Sequence, residues 1–223
     1  MGFDFNYMLS LVPILLKYLG TTLAMAAWGL VFALVLAVAL ALIRVYKVPV
    51  LNQLSQLYIS FFRGTPLLVQ LFLLYYGLPQ VFPVFVGLDA FSAAVIGLSL
   101  HFAAYKAESI RAAIIGVDRS QMEASLSIGM TEMQAMRRII LPQATRIALP
   151  SLMNYFIDMI KSTSLAFTLG VTEIMARAQM EASSSFKFFE AFLAVALIYW
   201  VMVVILTRVQ YWAEAKLNKA YVR

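Results

Sequence analysis

YLGTTLAMAAWGLVFALVLAVALALI, residues 18–43, runs for 26 residues without a charge. Coiled as an α-helix rising about 1.5 Å per residue, it crosses a hydrocarbon core of about 30 Å with some tilt. It is longer than a signal-peptide core and no small-residue cleavage site follows it, so it is expected to stay in the chain. Gly29, Ala33, Ala37 and Ala41 recur every four residues along it. They form one strip against which another helix can pack closely.

The rest of the chain has the same character. Hydrophobic residues make up 63% of the 223 and charged residues 13%, with a mean hydropathy of +0.86. Globular chains hold roughly 45–50% and about 25%. No sizeable water-soluble domain fits in such a chain, and disorder, fibrous repeats and nucleic-acid binding fall away. Zero cysteines exclude disulfides, thiolate metal sites and thiol catalysis, and give no sign of redox compartment. With one histidine and no H-E-x-x-H spacing, neither a metal nor a catalytic centre is expected.

Four further apolar segments follow, giving five expected spans at about 19–43, 51–79, 91–115, 147–171 and 188–208. The only substantial polar stretch is the loop at about 117–142. Five crossings place the termini on opposite sides of the membrane, and the cations decide which. With the carboxyl terminus inside, eleven lysines and arginines lie inside (Arg44, Lys47, Arg111, Arg119, Arg137, Arg138, Arg146, Arg208, Lys216, Lys219 and Arg223) and three (Lys17, Arg177, Lys187) outside. The expected fold is therefore all-α and integral to the membrane, a single transmembrane domain over 1–223, with the amino terminus outside and the carboxyl terminus cytoplasmic. The leading residues Phe3, Asp4, Phe5, Asn6, Tyr7 and Met8 read as an amphipathic interfacial anchor. No internal repeat is visible, which argues against a transporter of two inverted halves.

The loop carries two helix-start patterns. Ser120 precedes Glu123 by three residues and Thr131 precedes Gln134 by three, the spacing of a capping box. Gly129 lies between them, where a helix end commonly needs a positive φ. Pro142 closes the second helix or opens the next. The loop is thus expected to be two short helices joined by a sharp turn.

Glu123-Ala124-Ser125, then Gly129, then Ile139-Ile140-Leu141-Pro142 resembles the EAA motif, E-A-A-x₃-G-x₉-I-x-L-P, of ATP-binding-cassette importer permeases. Ser125 stands where the pattern has alanine. Arg63-Gly64-Thr65-Pro66 with Leu67-Leu68-Val69-Gln70, Ala104-Tyr105-Lys106-Ala107-Glu108, and Lys161-Ser162-Thr163-Ser164-Leu165 resemble segments of the polar amino acid uptake permeases, closest to those for L-cystine. At Ser162 many members carry an acid, so no carboxylate role is carried over to that position. The resemblance covers about residues 19–217. It implies a multi-pass subunit of the bacterial cytoplasmic (inner) membrane, acting as a homodimer or with a sister permease. It implies two P-loop ATPase subunits below and an extracytoplasmic amino-acid-binding protein above. Glu123, Ala124, Ser125, Gly129 and Pro142 would then form the coupling helix region that docks on the ATPase. The chain has no G-x-x-x-x-G-K-[ST] phosphate loop. It therefore cannot itself hydrolyse ATP by the P-loop mechanism; no cofactor is expected in this chain, and the resemblance implies that ATP and Mg are bound by the partner ATPases. Arg137 and Arg138 would pair with acidic groups on the ATPase or serve as topology-setting cations.

Polar residues inside the apolar segments suggest where a solute passes. Intramembrane charge is expensive and usually faces the bundle interior or a water-filled cavity. His101, Tyr105 and Glu108 share one helix face, and so do Asn154, Asp158 and Lys161. Together they are candidates for a polar passage in which carboxylates meet an ammonium and a cation meets a carboxylate. Alternatively Asp158 and Lys161, three apart, neutralise each other. Arg63 and Lys106 are expected to snorkel towards the interface. Pro66 is expected to kink the second span. Two rivals remain at this level: a permease for methionine or another small solute, and a membrane scaffold that moves nothing.

Overall fold

The computed structural model describes residues 2–218; Lys219 and Arg223, counted above among the inward cations, lie outside the described residues. Helix follows helix: α1 (Phe5–Leu16), α2 (Leu19–Val45), α3 (Leu51–Gly64), α4 (Leu67–Phe72), a π-helical turn over Leu73–Gly77 and α5 (Leu78–Val81). Then come α6 (Ala90–Ile115), α7 (Arg119–Ser127), α8 (Glu132–Ala135), a second π-helical turn over Met136–Ile140 and α9 (Leu141–Ser162). A 3₁₀ stretch over Thr163–Leu169, α10 (Ile174–Ser185) and α11 (Phe188–Asn218) complete the chain. No strand occurs among the described residues.

Among the described residues, three helices are long and apolar enough to cross a membrane: Leu19–Val45, Ala90–Ile115 and Phe188–Lys216. They coincide with the first, third and fifth expected spans. In the second, the expected kink at Pro66 is a break, with Leu51–Gly64 and Leu67–Val81 inclined at 111°. Pro66 has φ −64° and ψ 138°, an extended residue between two helices. Its ring removes a donor and crowds the turn before it. Gln70 compensates, its Nε2 donating to Thr65 Oγ1 at 2.8 Å and to the Thr65 carbonyl at 3.1 Å. In the fourth, α9 begins earlier than expected, at Leu141, and carries Gln143, Thr145, Arg146, Asn154, Asp158 and Lys161. That polar load keeps it out of the apolar set, and its expected last turns are the 3₁₀ stretch.

The chain divides into two compact units, residues 2–32, 65–99 and 156–208, and residues 33–64, 100–155 and 209–218. In the first, α1 is packed rather than merely anchored at an interface. Met8, Leu11 and Leu15, spaced three and four apart, bury against Ile174, Ala178 and Ala182 of α10 and against Ala191, Ala194 and Ile198 of α11. Asp4 caps α1 through the Tyr7 amide at 2.9 Å and pairs with Lys187 at 2.6 Å. Gly29 belongs to this unit, and a Cβ there would sit 3.1 Å from Met159 Sδ and 3.7 Å from Leu98 Cβ. In the second unit Ala37 packs with Leu40, Ile59, Ala104 and Ala107. Ala33, Ala37 and Ala41 have no exposed surface. The small-residue strip of α2 is therefore a packing seam along its length.

Candidate functional site

The loop between α6 and α9 forms as two short helices, but the first starts differently from its sequence pattern. The cap of α7 is Asp118, whose Oδ1 accepts from the Ser120 amide at 2.9 Å. Ser120 is already inside the helix, so the expected Ser120–Glu123 capping box does not begin it; the carboxylate nearer the helix end takes the free donor first. Hydrogen bonds from Ser120 hold the Asp118 carboxyl below its ordinary pKa. At α8 the capping box is complete: the Gln134 amide donates to Thr131 Oγ1 at 3.3 Å and the Thr131 amide to Gln134 Oε1 at 2.9 Å. Gly129 has φ +86°, and the amides of Gly129 and Met130 close the end of α7 on the carbonyls of Leu126 and Ser125.

These turns fix what the loop presents. Glu123, Ala124 and Gly129 are exposed. Ile128 is 77% exposed, Met133 57% and Leu126 41%, three apolar side chains on a surface that also carries polar ones. Beside them is a cavity of about 470 Å³ lined by Thr131, Met133, Gln134, Arg137 and Arg138. Ser125, the departure from the motif, is buried, and its hydroxyl donates to the Gln121 carbonyl at 2.6 Å. No polar atom is orphaned there, so serine replaces alanine without loss. Underneath, Met136, Ile140, Ala144 and Ala148 pack on Ala113, Ile114 and Val117. Just before the exposed Pro142, the Leu141 amide reaches back to the Met136 carbonyl. That widening of the helix accommodates a residue with no donor and a bulky ring. The loop is a braced protrusion with an apolar tip and a cationic cavity.

The residues of the expected passage fall into separate sets. In the second unit, His101 and Tyr105 stand with ring centres 5.1 Å apart, and the Tyr105 hydroxyl donates to the Arg63 carbonyl at 3.4 Å. Glu108 bonds Arg44 of α2 at 2.5 Å and also Arg111, one turn along its own helix. Asn154 is exposed in this same unit. Asp158 and Lys161 belong to the first unit and bond each other at 2.6 Å, each side chain about half exposed. Lys106 does not snorkel. It has no exposed surface, and its Nζ donates to the Leu152 carbonyl at 3.3 Å.

Sequence reasoning missed two residues here. Arg44 read only as an inward topology cation, since nothing local ties it to a residue 64 positions away. Glu173, fully buried in the first unit, caps α10 through the Ala176 amide at 2.8 Å and accepts from the Tyr199 hydroxyl at 3.3 Å. Its signal was an acid opening a helical run, a pattern too common to single it out.

With this geometry in view, the similarities of the chain acquire a structural meaning. Residues 29–219 match the family described as binding-protein-dependent transport system inner membrane component. "Probable amino-acid ABC transporter permease protein PatM" of Vibrio harveyi is 86% identical over 223 residues, all of both chains. "L-cystine transport system permease protein TcyL" of Bacillus subtilis is 42% identical, covering all of this chain and 95% of its own. Among solved structures, the crystal structure of an amino acid ABC transporter with histidines superposes with a TM-score of 0.89 at 34% identity, covering 97% of this chain and 100% of that one. The braced loop lies inside the matched range, and the chain belongs to the family of inner-membrane components of binding-protein-dependent transport systems.

Proposed function

We propose that this chain is the permease subunit of an ATP-driven importer of polar amino acids, with L-cystine a candidate substrate. Its relatives are named for amino-acid transport. The reading includes five crossings, the bent α3–α5 segment and α9 with its 3₁₀ extension each making one, with the amino terminus outside. Two such subunits, identical or sister chains, enclose the pathway, and an extracytoplasmic amino-acid-binding protein delivers solute to it. Two P-loop ATPases holding ATP and Mg dock against the cytoplasmic loop. Closing of the ATPases moves the loops, and the helices alternate between two access states.

The observation that carries the reading is the loop itself. Coupling needs a rigid body that transmits displacement, and the Gly129 turn, the Thr131–Gln134 box and the buried Met136–Ala148 face supply one. Ile128 and Met133 suit an apolar groove, with Arg137 and Arg138 at its rim. Glu108, Tyr105, His101, Asn154, Asp158 and Lys161 remain the candidate pathway residues. In this reading Glu108 acts as one member of an Arg44–Glu108–Arg111 cluster rather than as an isolated acid.

The test is a gentle detergent pull-down of the tagged protein with mass spectrometry, followed by L-cystine uptake in vesicles holding the co-purified chains. A P-loop ATPase that co-purifies and is lost on Gly129→Asp, with membrane insertion unchanged, supports the importer. Intact, well-folded protein that brings down no ATPase overturns it.

A further inference from the structure

The 3₁₀ stretch over Thr163–Leu169 is seven residues long. Such helices rarely run beyond three or four residues, because their hydrogen bonds are poorer than those of an α-helix, and a longer one marks a hinge or a held strain. Contacts from outside the stretch must therefore keep it from relaxing. Its end is set by Gly170, at φ +95°; the amides of Gly170 and Val171 bond back to the carbonyls of Phe167 and Ala166. Two tyrosines reach it from other elements. The Tyr76 hydroxyl donates to the Thr168 carbonyl at 3.0 Å. The Tyr199 hydroxyl of α11 meets the hydroxyl of Thr163 and donates to Glu173 Oε2 at 3.3 Å.

Thr22 of α2 completes this cluster, its hydroxyl facing both Glu173 and Tyr199. Thr22, Thr163 and Glu173 have no exposed surface, and with Tyr199 they all belong to the first unit. Four donors converge on the Glu173 carboxyl group: the amides of Met175 and Ala176, and the hydroxyls of Tyr199 and Thr22. Capping α10 needs only the amides. The hydroxyls exceed that role, and through Tyr199 they lead to the first residue of the 3₁₀ stretch. A satisfied buried polar network fixes one arrangement where apolar packing tolerates several. The stretch follows directly on α9, whose Asp158–Lys161 pair lies in the same unit and belongs to the candidate pathway. A 3₁₀-helix rises about 2.0 Å per residue and an α-helix about 1.5 Å, so relaxation of the stretch into α geometry would shorten it by about 3–4 Å and carry Lys161 with it.

We propose that the Thr22–Thr163–Glu173–Tyr199 cluster is a clasp that holds this part of the fourth span in its 3₁₀ form and so places the Asp158–Lys161 end of α9 for solute passage. Glu173 and Tyr199 act through Thr163 and are positioning residues. The inference rests on the importer reading and deepens it, by naming what sets the geometry of a pathway segment.

The experiment is import into proteoliposomes holding the assembled permease–ATPase complex, with ATP in the lumen and the binding protein outside. The probe is a radiolabelled mixture of the common amino acids and L-cystine. The readout is amino acid imported per ATP hydrolysed, a ratio that does not change when a variant merely lowers the amount of complex. Tyr199→Phe, which leaves the Glu173 cap of α10 in place, is expected to lower the ratio about three- to tenfold, the net contribution of one hydrogen bond. Thr163→Val should do the same, and Thr163→Ser, which restores the hydroxyl, should keep the wild-type ratio. The double variant Tyr199→Phe/Thr163→Val should be no worse than either alone. A cluster that only braces the fold predicts less assembled complex at an unchanged ratio, and that result in Thr163→Val overturns the proposal. So does a Thr163→Ser complex as impaired as Thr163→Val. If Tyr199→Phe does not assemble, the two Thr163 variants decide. In each of these cases a wild-type complex that imports leaves the importer reading standing. A wild type that imports none of the mixture, or that brings down no ATPase, removes both.

Discussion

At Gly129 the backbone has φ +86°, and a Cβ there would meet nothing within 4 Å. Substitution is therefore governed by backbone strain and by what the new side chain presents, not by collision. Asparagine and aspartate both tolerate the left-handed region, whereas other residues pay about 1–2 kcal/mol. Comparing the two separates strain from charge: Gly129→Asn is expected to keep the ATPase in a pull-down, and Gly129→Asp to lose it. Equal loss in both would make the glycine itself the contact. This glycine and the Thr131–Gln134 box were legible because their causes are local. Asp118 was not, because the acid stands just ahead of a serine that fits the same pattern. The Arg44–Glu108 bond joins residues 64 apart, and no spacing rule reaches that far. Lys106 was expected to snorkel, and only its neighbours on α9 show that it is buried.

Elements follow the same division. Of the three long apolar helices, α2 and α11 announce themselves by charge-free length and α6 by an apolar run interrupted at Lys106, Glu108 and Arg111. The seam of α2 shows as a small residue every fourth position. The break before α4 was legible as a proline and illegible as an angle, because 111° depends on what receives the freed polar groups. Gln70 is one such receiver. Gln70→Leu removes its two bonds to the half-buried Thr65, at a cost of about 1 kcal/mol. The expected result is a lower melting temperature of the detergent-solubilised protein, with no rescue by Gln70→Glu, whose carboxylate has no donor for the Thr65 carbonyl. An unchanged melting temperature would mean that the break is held from elsewhere. The widened turn over Met136–Ile140 was likewise unreadable, since Pro142 marks a boundary without saying how the preceding turn adapts.

For the molecule as a whole, the absence of cysteine makes every introduced thiol unique. Single cysteines at Phe186 and Ile128, 81% and 77% exposed, should label from opposite sides of the membrane with an impermeant maleimide, Phe186→Cys from outside. Labelling of both from one side would overturn the five-span reading. The Asp4–Lys187 pair adds a pH test. Lys187 and the Tyr7 amide hold the Asp4 carboxyl below its ordinary 3.8, and Asp4 holds the Lys187 ammonium above 10.5. The lowered acid contributes while ionised, above 3.8, and is lost as pH falls through its lowered value. The raised base contributes below 10.5 and is lost as pH rises past its raised value. Hydrogen exchange of α1, corrected for intrinsic rates, should thus be flat from about pH 5 to 9 and faster below about 4. High salt should weaken this exposed pair at every pH. The bent second segment also has a consequence for how the chain is made. α3 has fourteen residues and is punctuated by Asn52, Gln53, Ser55 and Gln56. Neither it nor the half beyond the break reaches the roughly twenty apolar residues by which a translocon recognises a span. In the five-span reading the two halves leave the translocon together, as one bent span, with α2 already in the lipid and α6 still to come. Biogenesis of this subunit therefore depends on the order in which its neighbours emerge from the ribosome.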